Sequence, residues 1–200
     1  MTLARDVVPI DKRFLSSKDI MTNINKQSAS RRLIASAVKG SFAQDDILAV
    51  HLNTMAAYDL LRGHADAKKI QLEWDLRDFI KEEHFADAMK NYFKKPYNFL
   101  KHADRDADAE LDISNLEAIN DVFLLWVAKM HHDCFKEWSK HQALFVNYML
   151  FSHPELIKEG PFKELMDKNL KGMEANSRPE WMAAFKEVYR INDLAALEGK

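Results

Sequence analysis

Apolar residues in this chain recur at steps of three and four, and no periodic segment shows the strict alternation of a half-buried strand. That pattern confines the chain to helices. The clearest instance is Gln44 to Arg62, where Ile47, Val50, His51, Thr54, Tyr58 and Leu61 fall on one helical face. A sandwich or barrel needs many turns, and five Gly and five Pro in 200 residues are too few to make them. The expected fold class is all-α: a bundle of six or seven helices.

A chain of 200 residues buries one sizeable core, whereas two domains would leave each half small. Residues 1 to about 25 lack sustained periodicity and read as a partly ordered lead-in, despite a helix-start spacing at Ser16-Ser17-Lys18-Asp19. Residues 26–200 read as a single helical domain, with a central motif at 95–108 and closing helices over 153–200. Lys and Arg number 29 against 31 Asp and Glu, for a formal charge of -2. This near balance removes the simplest electrostatic case for broad binding to nucleic acid or membranes, and no DNA partner is expected, while room is left for a local basic patch. Cys134 is the only cysteine, which rules out an intramolecular disulfide and thiol-rich zinc sites and suits a reducing compartment. Met1 to Ile10 lacks the apolar core of a secretion signal, and no apolar run approaches the roughly 20 residues that span a bilayer. The expected location is cytoplasmic.

Taken in order, Lys26 to Lys39 predicts a short first helix following Asn25, with Leu33, Ala37 and Val38 inward and Gly40 as its stop. Gly63 is expected to end the second. From Leu72 to Lys95 the apolar stripe changes phase, from Leu76, Phe79 and Ile80 to Phe85, Ala88, Met89 and Tyr92, so two helices or one bent helix are expected. Pro96 should close that element, because the residue before a proline is pushed out of helical geometry. Ser114-Asn115-Leu116-Glu117 has the spacing of a capping box. It opens the longest run, with Phe123, Trp126, Val127, Met130, Cys134, Trp138, His141, Phe145 and Tyr148 on one face. Unbroken to Phe151, that helix would be about 50 Å long, so it should bend or reach into a partner. Leu124, Leu125 and Phe135 add a second apolar surface, which points to a homodimer. Ser152-His153-Pro154-Glu155 and Ser177-Arg178-Pro179-Glu180 predict two closing helices.

Metal chemistry finds little support. Asp104, Asp106, Asp108 and Glu110 imitate a calcium loop, but its sixth position would be Ala109 instead of glycine and its twelfth Asn115 instead of glutamate. Adjacent helical residues diverge, so His131-His132-Asp133-Cys134 cannot converge on one ion unaided, and Glu82-Glu83-His84 reads as a solvated junction. No metal site is expected. The chain carries no phosphate-cradling glycine loop, dinucleotide fingerprint or nucleophile elbow, so no cofactor is expected either.

The central motif, Lys95 to Asp108, is where chemistry concentrates. Asn98 and His102 stand four apart on one helical face, with Lys101 and Arg105 within reach of an anion. His51 and Tyr58 either find core partners or line a pocket beside this motif.

Asn98-x-x-x-His102 resembles the later part of the Arg-Asn-x-x-x-His motif of HEPN domains, an all-helical family whose active members are often metal-independent RNases acting as dimers. Tyr97 stands where that family has its arginine. The run Asn98-Phe99-Leu100-Lys101-His102-Ala103-Asp104-Arg105-Asp106, following the helix Ala49 to Leu61, also resembles a group of uncharacterised bacterial helical proteins, over about the middle third of the chain. These resemblances imply a shared fold with a HEPN-like centre and a polar site at His51 and Asn98 to Asp106. The candidate site is then His51, Tyr58, Asn98, Lys101, His102, Asp104 and Arg105. Three functions are compatible with it: a non-catalytic or weakly catalytic module binding a nucleotide, RNA or another phosphate-bearing ligand; an RNase with His102 as general acid or base, Asn98 orienting the phosphate and Arg105 stabilising its charge; or a structural, antitoxin-like interaction module.

Overall fold

A computed structural model describes residues 23–73, 81–102, 108–153, 177–183 and 186–187. The Ser16 to Asp19 start signal, the stripe at Leu76, Phe79 and Ile80, the pair Asp104 and Arg105, and most of 153–200 lie outside those residues. Among the described residues the chain is an all-α bundle without strands. Its helices are α1 (Lys26–Ala43), α2 (Ile47–Lys68), α3 (Glu82–Ala88), α4 (Lys94–Lys101), α5 (Leu116–Phe135) and α6 (Lys140–Ser152), with a π-helical stretch, Met89–Phe93, joining α3 to α4. No described helix is long and apolar enough to cross a membrane.

The side chain of Asn25 caps α1 by accepting the Ser28 amide at 2.8 Å, and Asp46 caps α2 by accepting from Leu48 and Ala49 at 2.8 and 3.2 Å. Neither Gly40 nor Gly63 ends a helix. α1 and α2 run on to Gln44 and Lys69, both in the left-handed conformation usually left to glycine, with φ of 54° and 55°. What Gly40 provides is closeness: a Cβ there would lie 3.0 Å from Val50 Cγ2, so α1 and α2 approach where only a hydrogen fits. Their shared core continues through α5, with Ile34, Ala37, Val38, Met55, Leu61, Phe123 and Val127 all buried.

α5 is not continuous with α6. Lys136, with φ of 54°, terminates α5, and Ser139 restarts the helix through a capping box with Gln142. The predicted long helix therefore bends at a full break. Of Leu124, Leu125 and Phe135, read as a second apolar surface, the two leucines are buried within the chain's own core and Phe135 is partly buried against it. The expected capping box at Ser114 does not form: Asn115 is the N-cap without a side-chain bond, and the Ser114 amide donates to Asp112 Oδ1 at 2.9 Å. At the other start signal, Ser177 donates from its amide and hydroxyl to Glu180 Oε2 at 2.6 and 2.9 Å, and helical backbone follows from Arg178.

Pro96 does not close its element either. The π-helical stretch widens the turn before it, with Lys94 bonded back to the Met89 carbonyl, and leaves Pro96 in the first turn of α4, where a missing amide hydrogen costs little. The same insertion rotates the inward stripe. Met89 and Phe93 are buried, while Tyr92, expected inward, is 58% exposed.

Candidate functional site

His51 and Tyr58 are core residues. His51 is fully buried: its Nε2 donates to the Phe93 carbonyl at 2.7 Å and its Nδ1 lies 2.7 Å from Asn120 Oδ1. Asn120 in turn donates from Nδ2 to the Ile47 carbonyl at 2.9 Å. Thr54, from the same face, donates to the Val50 carbonyl at 2.8 Å. Tyr58 packs its ring against Phe123 and Trp126, with centroids 5.6 and 5.0 Å apart. Of the two sequence readings of this face, internal partnership is the one the geometry provides. His51 is thus a clamp that ties α2 to α5 and to the end of the π-helical stretch.

That clamp sets the rotation of α4. Asn98 and His102 share one of its faces, as their spacing predicts, and both open on a groove of about 480 Å3. Lys90, Asn91 and Lys95 line the same groove, which Ala109, Glu110 and Leu111 close from the other side. Asn91, Lys95, Asn98 and His102 form one stripe at steps of four, three and four across the π-to-α junction. Lys90 and Asn91 escaped the sequence reading because a helix ended at Pro96 separates them from Asn98.

The other motif residues are not gathered there. Lys101 sits with its Nζ 4.6 Å above the centre of the Tyr97 ring, a cation–π contact. Tyr97 lines a different groove, of about 660 Å3, with Leu33, Ala56, Leu60 and Gly63. Asp104 and Arg105 lie outside the described residues.

The groove has mixed charge. Lys90 and Lys95 are exposed cations, His102 is half-buried at the C-terminal end of α4, and Glu110 opposes them. Hydrogen bonds from the Ser114 backbone and side chain, with a smaller pull from Lys95, hold the Asp112 carboxyl below its ordinary value.

Elsewhere, titratable groups serve packing. Lys129 bridges Asp133 and Glu73, while the Glu73 amide donates to Asp133 Oδ2 at 3.0 Å, tying the chain after α2 onto α5. Cys134 and His141, on one face of the predicted continuous helix, now belong to the end of α5 and the start of α6. Among the described residues no cluster of three or more His, Cys, Asp or Glu is arranged to hold a metal ion. Burial, reinforced by the charge of Asp133, pushes the Cys134 thiol up to about 11. Native Cys134 is therefore expected to react with a disulfide reagent at pH 8 roughly a hundredfold more slowly than the unfolded chain, whose thiol ionises at its ordinary value. Equal rates in the two states would show that the thiol is not held this way.

No protein-family description, curated protein or solved structure matches this chain. The site is defined by its own geometry alone.

Proposed function

We propose that this protein is a non-catalytic or weakly catalytic binding module for a phosphate-bearing ligand, a nucleotide or RNA, seated in the groove of Lys90, Lys95, Asn98 and His102. The observation that carries this reading is the convergence of Asn98 and His102 with two lysines on one open groove, rather than on internal partners. In it, Lys90 and Lys95 supply charge, the Asn98 amide donates to a phosphate oxygen, and the His102 imidazole donates or accepts at the rim. The likeness of Asn98-x-x-x-His102 to the HEPN motif belongs to the same reading. Binding is favoured over RNA cleavage because Tyr97, at the family's arginine position, faces another groove and brings no guanidinium to this one. The reading requires no second copy of the chain; of the apolar surface that suggested a homodimer, Leu124 and Leu125 are buried in the chain's own core and Phe135 is partly buried against it.

The test is a titration with short single-stranded RNA and with inorganic phosphate, in wild-type protein and in Lys95→Ala and His102→Ala. Each substitution should weaken binding by about tenfold or more, the value of one charge-assisted hydrogen bond. Melting temperatures should stay within about 2 °C of wild type, since Lys95 is exposed and neither side chain is needed by the core. Unchanged affinity in both variants, or a marked loss of stability without any binding defect, would overturn the assignment.

A further inference from the structure

A second groove, of about 360 Å3, lies between α1 and the turn joining α5 to α6, lined by Arg31, Arg32, Trp138, Lys140 and His141. In the continuous helix expected from the sequence, Trp138 belongs to the buried stripe. The break at Lys136 removes it from that stripe and leaves it 42% exposed. Its position is nonetheless fixed, because the indole lies flat on the His132 imidazole, with centroids 4.6 Å and planes 12° apart. A large aromatic surface is thus held rigid at the edge of an open groove.

The surroundings of the ring are cationic. Arg31 and Arg32 come from α1 and Lys140 from the first turn of α6; Glu137, 3.8 Å from the Arg31 guanidinium, is a counter-charge to one of them. Burial, followed by the charges of Lys39 and Lys140, holds the His141 imidazole below its ordinary value. Positive charge is thus gathered around an exposed indole, a combination that suits a ligand with a flat ring and a negative charge.

We propose that this groove is a nucleotide site, with the base stacked on Trp138 and the phosphate held by Arg32, Lys140 and His141. It shares no residue with the groove of Asn98 and His102 and stands or falls independently of it. The nucleotide is either free or one unit of single-stranded RNA, the same ring-and-phosphate chemistry in both cases.

The experiment titrates adenosine monophosphate, adenosine and a short oligoadenylate into the full chain by calorimetry, with the His141 ring signals followed by NMR. Adenosine monophosphate should bind saturably and more tightly than adenosine, and its affinity should fall as salt rises. Trp138→Ala should weaken it by about tenfold to a hundredfold, the measured range for one stacked base, while Trp138→Phe retains most of the affinity. Arg32→Ala should reduce binding of the monophosphate but not of adenosine. Bound phosphate should move the His141 titration to higher pH. In His102→Ala, which weakens only the other groove, the binding that depends on Trp138 and Arg32 and the shift of the His141 titration should persist, which separates the two sites. Tighter binding of the oligoadenylate would assign the unit to RNA, and equal binding to a free nucleotide. The proposal is overturned if neither compound binds saturably at millimolar concentration. It is equally overturned if binding is indifferent both to Trp138→Phe and Trp138→Ala and to Arg32→Ala; because Arg32 is exposed, that variant remains decisive even if Trp138→Ala fails to fold.

Discussion

Replacing His51 by alanine is expected to cost about 3–4 kcal/mol of stability, because it strips hydrogen-bond partners from a buried carbonyl and a buried amide and opens a cavity between α2 and α5. For a chain of this length that corresponds to a fall in melting temperature of roughly 10 °C. His51→Phe separates the two contributions: the ring volume is kept while the contacts to Phe93 and Asn120 are lost, so its deficit reports the polar part alone. Asn120→Ala should cost less than His51→Ala, since it leaves the Phe93 bond intact. The double substitution should cost less than the sum of the two singles, because both remove the same contact. The Phe93 carbonyl ends the π-helical stretch that aligns Lys90 and Asn91 with Asn98 and His102. On the proposed function, His51→Ala should therefore also weaken phosphate binding at that groove, although His51 does not line it. A His51→Ala protein as stable as wild type to within about 1 kcal/mol would mean that the clamp is not what holds α4 in place.

The fold class was legible because periodicity alone decides it. Where the chain stops each helix was less legible, for a reason shared by three sites: α1, α2 and α5 end on Gln44, Lys69 and Lys136 in the left-handed conformation, while Gly40 and Gly63 lie inside helices. At Gly40 the glycine serves the close approach of Val50 and not a stop; at Gly63 nothing lies within 4 Å of where a Cβ would be, so that glycine has no packing reason and simply sits within the helix. The break between α5 and α6 did leave a trace in Ser139-Lys140-His141-Gln142, a capping-box spacing hidden by the stronger apolar stripe running across it. The π-helical stretch left none, since its hydrogen-bond register has no compositional signature comparable to a cap. Its consequence was to carry a helix through Pro96 and turn Tyr92 outward. Asn98 and His102 were legible as a pair because a spacing of four holds in any α-helical turn; Lys90 and Asn91 could join them only after the helix was known to continue. His51 and Tyr58 show the opposite case. Polar atoms on an apolar face mark either a site or a satisfied core, and only the positions of Phe93, Asn120 and Trp126 decide between them.

Removing the Arg178 side chain is expected to have the other large effect, about 2–4 kcal/mol, because this one guanidinium joins the helical turn that begins there to three other helices. Arg178 donates from Nε to the Tyr148 hydroxyl at 3.1 Å on α6, from Nη1 to Ser41 Oγ at 2.8 Å on α1, and from Nη2 to Asp121 Oδ2 on α5. Its pairing with Glu117 at 3.3 Å adds little, since that carboxylate is 60% exposed and screened by solvent. Asp121 supplies most of the penalty. Its side chain is only 13% exposed, and burial pushes the carboxyl above its ordinary value even though Arg178 pulls it the other way. In Arg178→Ala that opposing pull is gone, so the folded-state value rises further above the unfolded value of about 3.9. A carboxyl raised in the folded state stabilises the fold while protonated and loses that contribution as pH rises through its folded value. The deficit of Arg178→Ala relative to wild type should therefore be largest at pH 7 and shrink as pH falls toward about 4, the reverse of simple acid denaturation. Adding Asp121→Asn to Arg178→Ala should recover part of the stability at pH 7 and abolish the pH dependence of the difference. Thermal melts of wild type and the two variants at pH 7 and pH 4.5 would measure it. A deficit that is independent of pH, or that grows with acid, would mean that Asp121 is solvated once Arg178 is gone and that the loss comes from the contacts to Ser41 and Tyr148 instead.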